Sequence, residues 1–150
     1  MSKGILYIVA TPIGNLMDLS PRAQETLSSV DLVVAEDTRH SQRLLNHFGI
    51  KSRMLSMHEH NEEQRVDYII EMMLDGKSIA QISDAGTPLV NDPGFRLALA
   101  SREAGLEVTA IPGATAPIVA LTLSGLAVDR FSFEGFLPTK QQARERSLQE

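Results

Sequence analysis

The sequence contains no cysteine, which excludes disulfides and thiolate metal sites but leaves the compartment open. No apolar run approaches the length of a membrane span. The amino-terminal stretch Met1–Ala10 carries one lysine and a short apolar run, without the longer apolar region and small-residue cleavage site of a secretory signal. A soluble, cytoplasmic protein is the default expectation. No Walker pattern G-x-x-x-x-G-K-[ST] occurs, and the loop Thr11–Leu16 offers only Gly14 where a dinucleotide fingerprint needs three glycines. No G-x-S-x-G elbow surrounds Ser83. His58 and His60 flank Glu59 at a spacing unsuited to ligation from one helix face. With four histidines in all, no metal site is expected. There is no internal repeat and no low-complexity tract.

One absence is local. Between Thr38 and His58 there is no acidic residue, while Arg39, Arg43, Lys51, Arg53, His40, His47 and His58 fall there or at its end. The whole chain carries a formal charge of −5, which argues against a surface made for nucleic acid throughout. This segment is either a basic patch for an anionic partner such as RNA or the solvated face of a helix.

What is present points to a globular α/β domain. The 150 residues are 43% hydrophobic and 22% charged, enough for one domain with a real core. Apolar, β-prone runs at Ile5–Ala10, Leu32–Ala35, Ser78–Ile82 and Leu106–Ile111 read as buried strands, with shorter candidates at Arg53–Met57 and Phe131–Phe136. Helices are expected from the Ser20-Pro21 start to about Ser29, from about Ser41 to Phe48 before Gly49, from Phe95 to Gly105 and from about Thr115 to Leu123. Asn61-Glu62-Glu63-Gln64 resembles a capping box, and Val66, Ile69, Ile70 and Met73 then share one helical face up to Asp75-Gly76. Strands alternating with helices predict a three-layer α/β/α fold around a mostly parallel five-stranded sheet.

The organising stretch is Ser83–Gly94. Its twelve residues of largely Gly, Pro, Asp and Asn exceed the usual strand-to-helix joint of about two to six. Thr11–Leu16 and Pro112–Pro117 are also irregular, and Glu36–His40 is charged. A parallel sheet sends all four from its carboxyl edge, where open α/β sheets hold ligands. None of the glycine-rich loops carries a lysine to meet phosphate, so an uncharged or cationic ligand is favoured. Asp84 suits hydroxyls or an ammonium group, or else only shapes its turn.

Four runs carry a resemblance: Leu6–Leu16 (LYIVATPIGNL), Ala35–His40 (AEDTRH), Ser83–Pro88 (SDAGTP) and Ile111–Ala116 (IPGATA). In this order and spacing they closely resemble the bacterial 16S ribosomal RNA cytidine-2'-O-methyltransferases, a branch of the tetrapyrrole methylase superfamily. The resemblance implies two α/β domains with S-adenosyl-L-methionine in the cleft between them. This chain would then be the amino-terminal cofactor-binding domain, residues 1–137, with 138–150 starting the connection to a second domain. It further implies cofactor contacts from Ile13, from Ser83, Asp84, Ala85 and Gly86, and from Thr115 and Ala116. Relatives carry Gly-Asp-Pro at the central loop, where this chain has Ser83 and Ala85 beside Asp84. The implied reaction is in-line methyl transfer to a ribose 2'-hydroxyl, which needs alignment and a proton acceptor. Asp37 or Glu36 is expected to accept that proton, and Arg39 and Arg43 to meet RNA. The expected partner is 16S rRNA or the small ribosomal subunit, with a homodimer, no membrane and no metal. A small-molecule acceptor such as a tetrapyrrole, or an inactive folding and association module, are the competing readings.

Overall fold

A computed structural model describes residues 3–58 and 60–149. Met1, Ser2, Glu59 and Glu150 lie outside the described residues, so the His58–Glu59–His60 reading is only partly covered. The chain runs β1 (Ile5–Val9), a 3-10 turn (Leu16–Asp18), α1 (Pro21–Ser29), β2 (Leu32–Ala35), α2 (Thr38–His47), β3 (Met54–Ser56), α3 (Glu62–Leu74), β4 (Ile79–Ile82), α4 (Phe95–Glu103), β5 (Glu107–Ile111), α5 (Ala116–Leu123) and α6 (Gln141–Ser147).

The five strands form one sheet in the order β3-β2-β4-β1-β5, and every pairing is parallel. Side chains alternate across it as the pleat requires. Val33, Ala35, Ala80 and Ile82 join Ala23 and Leu27 of α1 and Leu45 of α2 in one core cluster. Leu32, Val34 and Ile79 join Val66, Ile69 and Met73 of α3 and Leu97 of α4 in the other. Two helices on each face make the three layers, and β4, buried at all four positions, is the centre.

Local chemistry sets the helix ends. Ser20 Oγ accepts the Ala23 N–H at 3.1 Å, with Pro21 at the first helical position. At the far end of α4, Leu106 N–H reaches Ser101 O at 2.9 Å and Gly105 N–H reaches Arg102 O at 3.0 Å. This is a Schellman closure, which needs the positive φ that Gly105 supplies. The amino edge of the sheet is pinned by Asp31. Its Oδ2 accepts the Ser78 N–H at 2.9 Å and its Oδ1 accepts Lys77 Nζ at 3.2 Å. The Ser78 hydrogen bond, with Lys77 beside it, holds the Asp31 carboxyl below its ordinary value against the opposing effect of burial.

Three expectations are corrected. Helix α2 starts at Thr38, not Ser41, because Asp37 caps it. Asn61 sits at the cap position of α3 but makes no capping bond. Its amide instead accepts the His58 N–H at 2.8 Å and donates to Ser56 O at 3.3 Å, tying down the preceding loop. Phe131–Phe136 forms no strand; its three phenylalanines are exposed.

Contacts divide the chain into two units, Met1–Ala116 and Pro117–Glu150. The first holds the sheet. The second contains most of α5 and all of α6, and none of its described residues, 117–149, is buried.

Candidate functional site: the carboxyl edge of the sheet

Because all strands are parallel, their carboxyl ends share one rim, and the loops there are fastened to each other. Thr11 and Gly86 exchange backbone hydrogen bonds at 2.9 and 3.1 Å. The buried Thr11 hydroxyl donates to Ser83 O at 3.2 Å. Thr87 Oγ1 donates to Ala114 O at 3.1 Å, tying the β4 loop to the β5 loop just before Thr115. A Cβ added at Gly86 would lie 3.4 Å from Ile13 Cγ2 and 3.8 Å from Ala114 O. Ile13, Gly86 and Ala114 are therefore neighbours. The structure thus brings together Ile13, Ser83, Asp84, Ala85 and Gly86, with Thr115 following directly on Ala114 and Ala116 opening α5.

The β2 loop joins through one bond: the Asp37 N–H donates to Asp84 Oδ1 at 3.2 Å. Asp37 Oδ1 in turn accepts the N–H groups of Arg39 at 2.8 Å and His40 at 3.3 Å. Those two backbone bonds hold its carboxyl below the ordinary aspartate value. Its ion pair with Arg39 is long, 3.8 Å, and Arg39 is almost fully exposed, so that pair contributes little. Glu36 is the opposite case. Burial first, then the charges of Asp84, Asp92 and Asp37, push its carboxyl up, while His58 pulls the other way. Burial, with Asp84 nearby, likewise raises Asp92. The two expected proton acceptors thus differ in setting: Glu36 is raised by burial and neighbouring carboxylates, and Asp37 is engaged as a helix cap.

A cleft of about 320 Å³ opens between the β1 loop and α2, within the size range of small-ligand sites. Pro12, Ile13 and Leu16 form one side, Ser41, Arg43 and Leu44 the other, and Ser83, Asp84 and Ala85 complete it. Asn15 and His40 also reach it. Arg43 and Arg39 part company: Arg39 lies in a separate open depression with Thr38, Gln42 and Ser56. Sequence reasoning missed Ser41, and placed His40 in a basic segment rather than at this cleft. The signal was Asp37 as a capping residue, which places both at the start of α2. Among the described residues, no three His, Cys, Asp or Glu side chains gather as a metal site, and no helix is long and apolar enough to cross a membrane.

The pattern of the family described as Tetrapyrrole (Corrin/Porphyrin) Methylases matches residues 5–150. The chain is 57% identical over 146 residues to the ribosomal RNA small subunit methyltransferase I of Haemophilus influenzae, covering 97% of this chain and 52% of that protein. It is 52% identical over 147 residues to the protein of that name from Escherichia coli O157:H7, covering 98% and 51%. The chain spans about half the length of the curated relatives it matches. Among solved structures, uroporphyrin-III-C-methyltransferase from Thermus thermophilus superposes with a TM-score of 0.63 at 25% identity over 85% of this chain and 55% of that one. Diphthine synthase, at 20% identity, shares the fold with a TM-score of 0.66 over 85% and 51%. With a match across residues 5–150, this chain belongs to the tetrapyrrole methylase family.

Proposed function

We propose that this chain is the amino-terminal, donor-binding part of an S-adenosyl-L-methionine-dependent methyltransferase that modifies a cytidine 2'-hydroxyl in 16S rRNA. The observation that carries the proposal is the fastened rim of Ile13, Asp84–Thr87 and Ala114, with no cation in any of its three glycine-bearing loops. The rim fits the donor. A sulfonium nucleoside brings positive charge and no phosphate, and here carboxylates crowd closely enough that Asp84 and Asp92 help to raise Glu36. Identity above 50% to proteins named ribosomal RNA methyltransferases supports RNA as the acceptor.

When bound, the donor would supply a methyl group carried on a sulfonium, a good leaving group, for transfer to the ribose 2'-oxygen. The chain must then hold the reactants in line and take the hydroxyl proton. Ile13, Ser83, Asp84, Ala85, Gly86, Thr115 and Ala116 would hold the donor. Glu36 would take the proton on a carboxylate oxygen. Asp37, through its bond to Asp84, would position α2. Arg43 and Arg39 would meet RNA phosphate. Residues 1–137 would form the donor domain and 138–150 the start of a connection to a second domain. The protein would act in the cytoplasm, as a homodimer.

A second reading has one observation in its favour. No described residue of 117–149 is buried, as expected of a piece that needs a partner before it acts. On that reading the 150 residues alone bind donor weakly and turn nothing over. The test uses the chain joined to the second half found in its relatives. Labelled donor and small ribosomal subunits should yield a 2'-O-methylcytidine in 16S rRNA. Label in a tetrapyrrole precursor instead would replace the acceptor.

A further inference from the structure

Resting on the reading just given, we infer that the β3 edge of the sheet is a separate contact surface for the RNA acceptor, holding a single-stranded stretch away from the reacting ribose through Arg39, Arg53 and Tyr68. β3 is a terminal strand of the sheet, so its outer backbone edge has no strand to pair with there. An open depression lies along it, with Thr38, Arg39 and Gln42 of α2 on one side and Met54, Leu55 and Ser56 of β3 on the other. This depression shares no lining residue with the cleft at the β1 loop.

Charge names the occupant. In a chain of formal charge −5, no acid occurs from Thr38 to His58, while Arg39, Arg43, Lys51 and Arg53 do, and all four are exposed. The Arg39 side chain is 95% exposed, and its contact with Asp37 is long, 3.8 Å. The Asp37 carboxylate is already committed to two amides, which leaves the guanidinium to a phosphate. Arg53, directly before β3, forms no ion pair among the described residues. Its Nη2 donates to Tyr68 Oη of α3 at 3.4 Å. The guanidinium therefore sits at the hydroxyl end of the ring and not over its face, and Tyr68 is 39% exposed. An exposed aromatic face with a cation at its end is how proteins hold unpaired bases: the ring stacks and the cation meets the backbone. Backbone N–H groups of an open edge also contact phosphate oxygens. A protein strand added to β3 would use that edge but leave the cations beside it unmatched. Asp67 and Glu71 follow on α3, so the strip ends at the Tyr68 ring.

The experiment uses the chain joined to the second half found in its relatives, with small ribosomal subunits as acceptor and protein-free 16S rRNA as binding probe. Arg53→Gln should raise KM for the subunit about tenfold with kcat held, and lower the slope of log affinity against log salt by about 0.7, one phosphate contact on a single strand. Tyr68→Ala should lower kcat/KM about tenfold with that slope unchanged, because stacking releases no counterions, and Tyr68→Phe should restore it. Both positions are exposed, so melting temperatures and affinity for S-adenosylhomocysteine should hold. Arg102→Gln, beside β5 at the opposite edge, removes the same charge and should change nothing. A loss in Arg102→Gln equal to that in Arg53→Gln would reduce the effect to net charge and overturn the inference. Wild-type KM in both Arg53→Gln and Tyr68→Ala would overturn it as well, with the functional reading intact. Variants that bind protein-free 16S rRNA normally but fail on subunits would give the edge to a ribosomal protein, again overturning it. A wild-type protein that binds S-adenosylhomocysteine but methylates no ribosomal RNA would remove the functional reading, and this inference with it.

Discussion

Residues 3–116 and 117–149 use similar apolar side chains to opposite ends. In the first, Leu6, Leu27, Val33, Ile69 and Leu97 are wholly buried, on two faces of one sheet. In the second, Leu123, Leu126, Phe131, Phe133 and Phe136 are exposed. Helix α5 is apolar around its circumference, Ala-Pro-Ile-Val-Ala-Leu-Thr-Leu, a pattern that belongs in an interior. The difference teaches that apolar content alone does not bury a segment. What buries the first region is a surface already assembled, a pleat with two faces and short returns. The second region has no strand among its described residues and so offers itself no such surface.

The contrast makes a large prediction. Leu27→Ala, at a fully buried position of α1, should lower unfolding free energy by about 2–5 kcal/mol. Phe136→Ala, at an exposed position, should change it by less than about 0.5 kcal/mol. Urea titration of the 150-residue chain reads both, and equal losses would break the comparison. A smaller effect sharpens it at helix starts. Ser20→Ala removes a capping bond to Ala23 and should cost about 1 kcal/mol. Lys140 caps α6 without any side-chain bond, so Lys140→Ala should leave the urea midpoint in place.

The smallest effects are pH-dependent, and two carboxylates of the first region carry opposite signs. Glu36 is raised, so the folded chain keeps its proton over a window above the ordinary glutamate value where the unfolded chain has lost it. Stability therefore falls as pH rises through that window, and Glu36→Gln should flatten the fall. Asp31 is lowered, so its contribution is present above the ordinary aspartate value and disappears as pH falls through the folded one. Asp31→Asn should flatten that acid limb. Thermal melts from acid to neutral pH, compared with wild type, test both signs; a steeper slope in either variant would reverse the assignment.

Much of this architecture was legible because strong local signals agreed. Ser20-Pro21 announced a helix and formed one. Val66, Ile69, Ile70 and Met73 announced a buried stripe; Ile70 is half-buried and the others are buried. Strands flanked by Gly and Pro fell where the apolar runs lay. Failures came where a side chain had two possible partners. Asn61 could cap α3 or hold the preceding loop, and the chain's route past His58 decided for the loop. The start of α2 moved for a like reason: the Asp37 carboxylate accepts two amides and so opens the helix at Thr38. Phe131–Phe136 alternates like a strand but forms none. The rim's membership was readable from parallel connectivity. Its fastening was not, since Thr87 meeting Ala114 across 27 residues is a tertiary fact.

The buckle formed by Asp31, Lys77 and Ser78 lies at the amino edge of the sheet, with the length of β2 and β4 between it and the rim. Strand alignment there is anchored by groups that the working end never touches. A protein engineer could therefore recut the Thr11–Leu16 or Ser83–Gly94 segments, or graft in those of a relative with another acceptor, without letting the two strands slide past one another.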